Sequence, residues 1–183
     1  MLFENKVVLI TGGTRGIGKA IAMRLAKEGA HLAIVGKTAE PHPKLEGTIY
    51  TAAEEIAKVG PGKVLPIQGD IRFEESIQQI VKTTVETFGG IDILVNNASA
   101  INLTTTEQTE FKRWDLMHTI NVRGTFFMSK ECIPHLRRAR NPHILNLSPP
   151  LNLDPVWFGK HLAYTMSKYG MSMVILGLAE ELK

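Results

Sequence analysis

The residues Thr11-Gly12-Gly13-Thr14-Arg15-Gly16-Ile17-Gly18 join an apolar β-rich run, Val7 to Thr11, to the helical run Lys19 to Ala26. Glycine permits a tight turn and a close backbone approach, and the free N–H groups at a helix start stabilise a pyrophosphate. Three glycines alone are a weak signal, so the order strand, turn, helix carries the prediction. A tight turn that binds no ligand is the alternative. We predict a phosphate-binding turn formed by Gly12, Thr14, Arg15, Gly16, Ile17 and Gly18.

Apolar β-rich runs alternate with helical segments along the whole chain, which is typical of βαβ units around a buried parallel sheet. The predicted strands are Val7 to Thr11, His31 to Val35, Lys63 to Gln68, Ile91 to Asn96 and His143 to Leu147. The predicted helices are Gly16 to Glu28, Ile49 to Lys58, Glu74 to Phe88, Glu107 to Arg138 and Leu162 to Lys183. Right-handed crossovers then give one α/β domain over residues 1–183, a three-layer, doubly wound parallel sheet of the Rossmann type.

Two segments interrupt this regular pattern. Asparagine is unfavourable inside a helix, so Asn121 predicts a break of the fourth helix near Val122 to Gly124. The stretch Lys37 to Gly47 contains two prolines and is predicted to be an irregular connection that borders a cofactor.

Composition excludes several classes of function. The 183 residues carry 21 basic and 18 acidic side chains, a net charge of +3, which is too even for a nucleic-acid-binding stripe. The basic run Arg137, Arg138 and Arg140 is interpreted as a solvated helix end, with an anion patch as the alternative. Neither the six histidines nor the single Cys132 has metal-ligand spacing, so no metal site is expected. No apolar run approaches the roughly 20 residues of a membrane span, and no signal peptide precedes the first strand, so we expect a soluble, cytoplasmic protein.

The choice of dinucleotide is predicted from the end of the second strand. NAD(H) is usually recognised there by an acidic residue, but the sequence reads Ile34-Val35-Gly36-Lys37-Thr38. Lys37 and Arg15 can face a 2′-phosphate, so NADP(H) is favoured over NAD(H). The alternative is that Lys37 points into water. Asp70 and Ile71 follow the third strand and are placed at the adenine, although Asp70 can also cap a helix or occupy a plain turn.

Four motifs occur together in one order: the glycine turn, Asn96-Asn97-Ala98-Ser99, Asn121, and Ser148 with Tyr164-Thr165-Met166-Ser167-Lys168. In this combination the chain resembles the classical short-chain dehydrogenase/reductase family. The stretches Lys37 to Lys44 and Leu147 to Phe158 are similar to its hydroxysteroid dehydrogenase-like 2 branch. The resemblance covers nearly the whole chain and implies hydride transfer between a nicotinamide cofactor and a carbonyl or alcohol carbon.

The residue types fit that chemistry. Tyr164 and Lys168 lie four residues apart, on one face of a helix. A phenol with a pKa of about 10 is a poor base at neutral pH, and a nearby ammonium lowers that pKa. Ser148 directly follows a strand, where its hydroxyl can polarise the reacting oxygen. A surface Tyr and Lys pair and a turn serine are the alternatives for these residues taken singly.

The resemblance assigns further roles. It implies that Tyr164 moves the proton, that Lys168 also holds the nicotinamide ribose, and that Asn121 fixes a water linked to the lysine. It implies that Asn97 and Ala98 border the adenine ribose, with Ser99 in place of the family's glycine. A position that needs positive φ would disfavour this serine.

Members of the family continue beyond the tyrosine helix with further strands and a substrate loop. We therefore expect a sheet that lacks the last strands, and the alternative function is an inactive nucleotide-binding or oligomer-forming module. The apolar loop Pro149 to Gly159 either lines a cleft for a lipid-like or bulky carbonyl compound or is a packed structural loop. The resemblance also implies a homodimer or homotetramer formed through the two longest predicted helices.

Overall fold

Five parallel strands form one sheet in a computed structural model that describes residues 1–41, 43 and 47–183. They are β1 (Val7–Thr11), β2 (His31–Gly36), β3 (Val64–Gln68), β4 (Ile93–Asn96) and β5 (His143–Asn146). Their order, β3-β2-β1-β4-β5, reverses direction at β1, which is the doubly wound arrangement. The predicted fold class is confirmed, and β5 ends the sheet among the described residues. Of the predicted connection 37–47, residues 42 and 44–46 lie outside the described residues.

The side chains of the central strands alternate between two apolar cores, one on each face of the sheet. Val8 and Ile10 pack into one core with β2 residues Leu32 and Ile34, whereas Leu9 packs into the other. All of these strand residues are fully buried. A strand buried on both faces reads as a continuous apolar run, which is why the sequence pattern identified β1 and β2.

Six α-helices, one π-helical segment and one 3-10 turn surround the sheet in the described residues. They are α1 (Gly16–Lys27), α2 (Ile49–Ala57), α3 (Glu74–Phe88), α4 (Phe111–Met117), the π segment (His118–Gly124), α5 (Thr125–Leu136), the 3-10 turn (Pro155–Trp157) and α6 (Leu162–Glu181). Helices α1 and α2 cover one core, and α3 and α5 cover the other. Among the described residues, no helix combines the length and apolar character that crossing a bilayer requires.

The predicted helix Glu107 to Arg138 differs from the structure in two ways. It begins at Phe111, because the Thr109 hydroxyl donates to the carbonyl oxygen of Thr105 at 2.7 Å and holds the preceding residues in a turn. The predicted break near residue 122 is a π-helical segment that continues α4 into α5 without a gap. A π segment accommodates one extra residue per turn and is frequent at functional sites.

Candidate cofactor and catalytic site

The glycine turn after β1 has a backbone that only glycine fits well. Gly12 and Gly16 have φ values of +68° and +52°, in the left-handed region. A Cβ at Gly18 would lie 2.3 Å from the carbonyl oxygen of Gly12, and a Cβ at Gly12 would lie 2.9 Å from Nδ2 of Asn97. No atom lies within 4 Å of a Cβ built at Gly16. The turn is closed toward the sheet and open at Gly16, so it fits the close approach of a phosphate group.

The turn after β4 fastens the glycine turn in place. Asn97 donates from Nδ2 to the carbonyl oxygens of Thr11 and Gly12, at 3.0 and 2.9 Å. The Thr11 hydroxyl accepts from the backbone N–H groups of Asn97 and Ala98, both at 3.1 Å. Thr11 was not predicted as a site residue, although its place directly before the glycines is a usable signal. Ser99 is not among the positive-φ residues of the described chain, so the glycine it replaces is not needed there.

A cavity of about 510 Å³ opens at the carboxyl ends of β1, β2, β3 and β4. Ten of the predicted cofactor residues line it: Gly12, Thr14, Arg15, Ile17, Gly18, Lys37, Asp70, Ile71, Asn97 and Ala98. Gly16 is not one of its lining residues. The cavity is also lined by Thr11, Val35, Gly36, Thr38, Gly69, Ser99 and Ile120, which were not predicted to bind a cofactor.

One end of this cavity is charged. Arg15 donates from Nη2 to the Thr38 hydroxyl at 3.1 Å, which holds its guanidinium beside the end of β2. Nζ of Lys37 lies 3.3 Å from Oδ2 of Asp70, so the lysine is half exposed yet paired with a carboxylate. The alternative that Lys37 only faces water is therefore wrong for this conformation.

The main partner of the Asp70 carboxylate is Arg72. Burial raises the pKa of Asp70, but hydrogen bonds from the Arg72 side chain and backbone, and from Lys37, outweigh this and lower it below the ordinary value. The residue that precedes α3 as its N-cap is Phe73, so the alternative of Asp70 as the cap is wrong. Its placement at the adenine stays a prediction.

A second cavity of about 610 Å³ contains the predicted reacting groups. Ser148, Tyr164 and Lys168 all line it. Most of its remaining wall comes from the end of β5, the loop that follows it and α6: Asn146, Leu147, Pro149, Pro150, Asn152, Trp157, Thr165 and Tyr169. Ile17 lines both cavities, so the two adjoin at the start of α1. The fold thus brings together the serine, tyrosine and lysine that the sequence singled out.

The Lys168 ammonium is held by groups that the sequence did not indicate. It donates to the carbonyl oxygen of Leu147 at 2.5 Å and lies 3.1 Å from Sδ of Met171. Burial disfavours the charged amine and lowers the pKa of Lys168. Tyr164 shares its cavity but is not one of its hydrogen-bond partners. The predicted convergence on one cavity is therefore observed, without a direct hydrogen bond.

Asn121 is fully buried in the π segment and links the loop after β4 to helix α6. Its Oδ1 accepts from the Ala100 N–H at 2.8 Å, while Nδ2 donates to the Ala100 carbonyl and the Ser167 hydroxyl, both at 2.9 Å. The Ser167 hydroxyl in turn donates to the carbonyl oxygen of Tyr164 at 2.8 Å. Both amide hydrogens are therefore used, and a water can reach this side chain only through the second lone pair of Oδ1. The water-holding role stays a prediction.

Two further side chains of α6 hold the loop that carries Ser148. The Tyr169 hydroxyl donates to the carbonyl oxygen of Asn152 at 2.6 Å, and the Ser172 hydroxyl donates to that of Pro149 at 2.5 Å. With Lys168 on Leu147, three α6 side chains bind backbone carbonyls of residues 147–152. The sequence did not predict these contacts, because the acceptor of a helix hydroxyl cannot be inferred when it lies far away in the chain.

The described residues contain no group of three or more His, Cys, Asp or Glu side chains arranged to hold a metal ion. Cys132 is buried, and burial raises the pKa of its thiol. A thiol without thiolate character is a poor nucleophile and metal ligand.

Comparison with known proteins places this geometry in a family. The short chain dehydrogenase family model matches residues 6–183. Hydroxysteroid dehydrogenase-like protein 2 of Danio rerio is 63% identical over 176 residues, which are 96% of this chain and 42% of that protein. The chain therefore spans less than half the length of this curated relative.

Solved structures agree with this assignment. A short chain dehydrogenase from Mycobacterium thermoresistibile is 57% identical, with a TM-score of 0.94 over 98% of this chain and 63% of that one. A metagenomic short-chain oxidoreductase in complex with NADP is 27% identical, with a TM-score of 0.85 over all of this chain and 78% of that one. The chain belongs to the short-chain dehydrogenase family, and its relatives include the hydroxysteroid dehydrogenase-like proteins.

Proposed function

We propose that this chain carries the cofactor site and reacting groups of an oxidoreductase that transfers a hydride between NADP(H) and a carbonyl or carbinol carbon. One observation carries the proposal. Ser148, Tyr164 and Lys168 line a single cavity that shares Ile17 with the cavity at the glycine turn. A nicotinamide that extends from the first cavity past Ile17 enters the second, where the three groups lie.

The bound cofactor supplies the hydride, and the protein supplies orientation and proton transfer. Ser148 donates a hydrogen bond to the substrate oxygen and polarises it. Tyr164 gives its phenolic proton to that oxygen in the reducing direction and takes it back in the oxidising direction. The Lys168 ammonium, within the same cavity, favours the phenolate that this transfer creates.

The proposed preference for NADP(H) rests on charge. Among the residues that the structure describes, Arg15 and Lys37 are the two cations that line the first cavity, and β2 ends in Gly36 without an acid. Phosphate monoesters are recognised by such cations. The NADP complex of the metagenomic relative is consistent with this choice.

The proposed substrate is a lipid-like or bulky apolar carbonyl compound. Trp157, Pro149 and Pro150 give the second cavity an apolar wall. The same loop also presents exposed apolar side chains at Leu153 and Val156, 76% and 65% exposed. Exposed apolar patches are one mark of ligand-binding grooves.

Hydride transfer is tested by following NADPH oxidation with a panel of aldehydes and ketones of increasing chain length. We expect turnover that increases with apolar length and falls by at least about 100-fold in Tyr164→Phe, which removes the proton donor. Tyr50→Phe is the matched control, because Tyr50 is exposed on α2, away from both cavities. Saturable NADPH binding without turnover on any member of the panel would instead select the inactive nucleotide-binding module.

We further propose that two copies pair through α4, α5 and α6. These helices expose large apolar side chains at Phe111, Phe126, Met173 and Leu176. Burial of such side chains is what drives association. Light scattering coupled to size-exclusion chromatography should report a dimer or tetramer in the wild type and a smaller species in Phe126→Glu with Leu176→Glu.

A further inference from the structure

The Asp70 carboxylate lies between two cations at the charged end of the first cavity. Arg72 donates to it from Nη2 and Nε, with distances to Oδ2 of 2.6 and 2.9 Å, and its backbone N–H reaches Oδ1 at 3.1 Å. Lys37 approaches the same Oδ2 at 3.3 Å. One negative charge is therefore shared by the Arg72 guanidinium and the Lys37 ammonium.

The two contacts are unequal. The arginine contact is bidentate and short, the geometry of the strongest charge-assisted hydrogen bonds. The lysine contact is single and longer, and its side chain is 57% exposed, against 31% for Arg72. Lys37 lines the cavity, whereas Arg72 does not. The arginine can thus neutralise Asp70 alone, and the lysine can leave at small cost.

We propose that Arg72 is a positioning residue for cofactor discrimination: by neutralising Asp70 it leaves Lys37 available to the 2′-phosphate of NADP(H). This inference rests on the proposed function. A phosphate oxygen and the Asp70 carboxylate that both contact Nζ of Lys37 lie at most about 6 Å apart, two hydrogen-bond lengths. At that separation an unneutralised carboxylate repels the phosphate and also competes for the lysine.

Removal of Arg72 should therefore weaken the binding of NADPH more than the binding of NADH. In Arg72→Ala the Asp70 carboxylate keeps Lys37 as its ion partner among the described residues. We expect the Kd for NADPH to rise about tenfold, which corresponds to a loss of about 1.4 kcal/mol of binding free energy when Asp70 competes for Lys37. NADH lacks the 2′-phosphate, so its Kd should change less than about twofold.

The test is a fluorescence titration of NADPH and NADH against purified wild type, Arg72→Ala, Arg72→Lys, Asp70→Asn and the double variant Asp70→Asn with Arg72→Ala. The control is Arg123→Ala. Nη1 of Arg123 donates to the Arg72 carbonyl at 2.7 Å, so this variant loosens the same loop without touching the carboxylate. Thermal unfolding of every variant checks that it is folded.

We expect selective loss of NADPH affinity in Arg72→Ala, partial recovery in Arg72→Lys, and full recovery of the NADPH to NADH ratio in the double variant, where no carboxylate remains to be neutralised. An equal loss for both cofactors, or no recovery in the double variant, would overturn the proposal and indicate that Arg72 only shapes the loop. A parallel titration of Lys37→Ala tests the proposed preference for NADP(H) separately from the proposed role of Arg72. If it leaves NADPH binding unchanged, the proposed cofactor preference itself is wrong.

Discussion

The side-chain amide of Asn97 donates a hydrogen bond to the carbonyl oxygen of Gly12 at 2.9 Å. The turn after β4 therefore holds the turn after β1, although 85 residues separate them in the sequence. The same amide nitrogen would lie 2.4 Å from a Cβ at Gly18. One asparagine thus fixes the shape of the glycine turn and excludes side chains from it.

Gly18→Ala should abolish dinucleotide binding and destabilise the fold. Its methyl group would overlap the Gly12 carbonyl oxygen and the Asn97 amide, and overpacking of this kind costs about 1–3 kcal/mol. Urea unfolding and NADPH titration measure the two effects. Gly177→Ala is the control, because no atom lies within 4 Å of its Cβ in α6, and we expect it to stabilise the chain by about 0.5–1 kcal/mol. Full cofactor affinity in Gly18→Ala would contradict the closed geometry of the turn.

Asn121→Ala should lower the free energy of unfolding by about 2–4 kcal/mol, because it leaves the partly buried N–H and carbonyl of Ala100 without their side-chain partners. Ser167→Ala removes one of the three hydrogen bonds of Asn121 and should cost about 1 kcal/mol. Chemical denaturation gives both values. Equal losses in the two variants would show that the Ala100 contacts contribute little.

The lowered pKa of Asp70 predicts a loss of stability in acid. A carboxyl group with a depressed pKa in the folded state stabilises the protein above its unfolded pKa, about 3.9, and this contribution is lost as the pH falls through the folded value. We expect Asp70→Asn to have a lower free energy of unfolding than the wild type at pH 7. This difference should shrink as the pH falls toward 3. Glu86→Gln removes an exposed ion pair at 3.8 Å and is the control, for which we expect only a small difference in stability. A pH-independent gap for Asp70→Asn would contradict the assignment.

Lys168→Met should abolish turnover and change the pH dependence of stability in the alkaline range. The folded-state pKa of Lys168 is lowered, so the unfolded state binds more protons between that pKa and about 10.4. As the pH rises through this window, the wild type should therefore gain stability relative to Lys168→Met. Unfolding curves at pH 7 and pH 10 measure the gain. Lys130→Met, at an exposed lysine of α5, is the control for the loss of a lysine side chain.

Local patterns predicted much of the fold, and long-range contacts account for what they missed. The predicted bounds of β1 and α3 coincide with the observed ones, because a continuous apolar run and a clear helical period each identify one element. The predicted start of α4 was four residues too early. The turn before the helix depends on a hydrogen bond from the Thr109 hydroxyl to the Thr105 carbonyl oxygen, which helical periodicity does not indicate. Periodicity alone cannot distinguish a π segment from a break in a helix.

Sequence motifs predicted the residues of the candidate site, but not the hydrogen bonds that hold those residues in place. The serine, tyrosine and lysine were found because their types and spacing match a known chemistry. The acceptor of the Lys168 ammonium is a backbone carbonyl of Leu147, 21 residues away, and backbone groups have no signature in the sequence. Arg72 was missed for a related reason: its guanidinium acts on Asp70, outside the wall of the cavity.

The hydrogen bonds from α6 to the carbonyl oxygens of Leu147, Pro149 and Asn152 make the loop after β5 dependent on that helix. A segment whose backbone carbonyls accept hydrogen bonds from a neighbouring helix loses those bonds when the helix opens, so we expect the two to exchange their amide hydrogens as one cooperative unit. Ser148 and Tyr164 belong to the two halves of this unit. We therefore expect partial opening of α6 to displace Ser148 and Tyr164 together, while the glycine turn after the central strand β1 keeps its hydrogen bonds to Asn97.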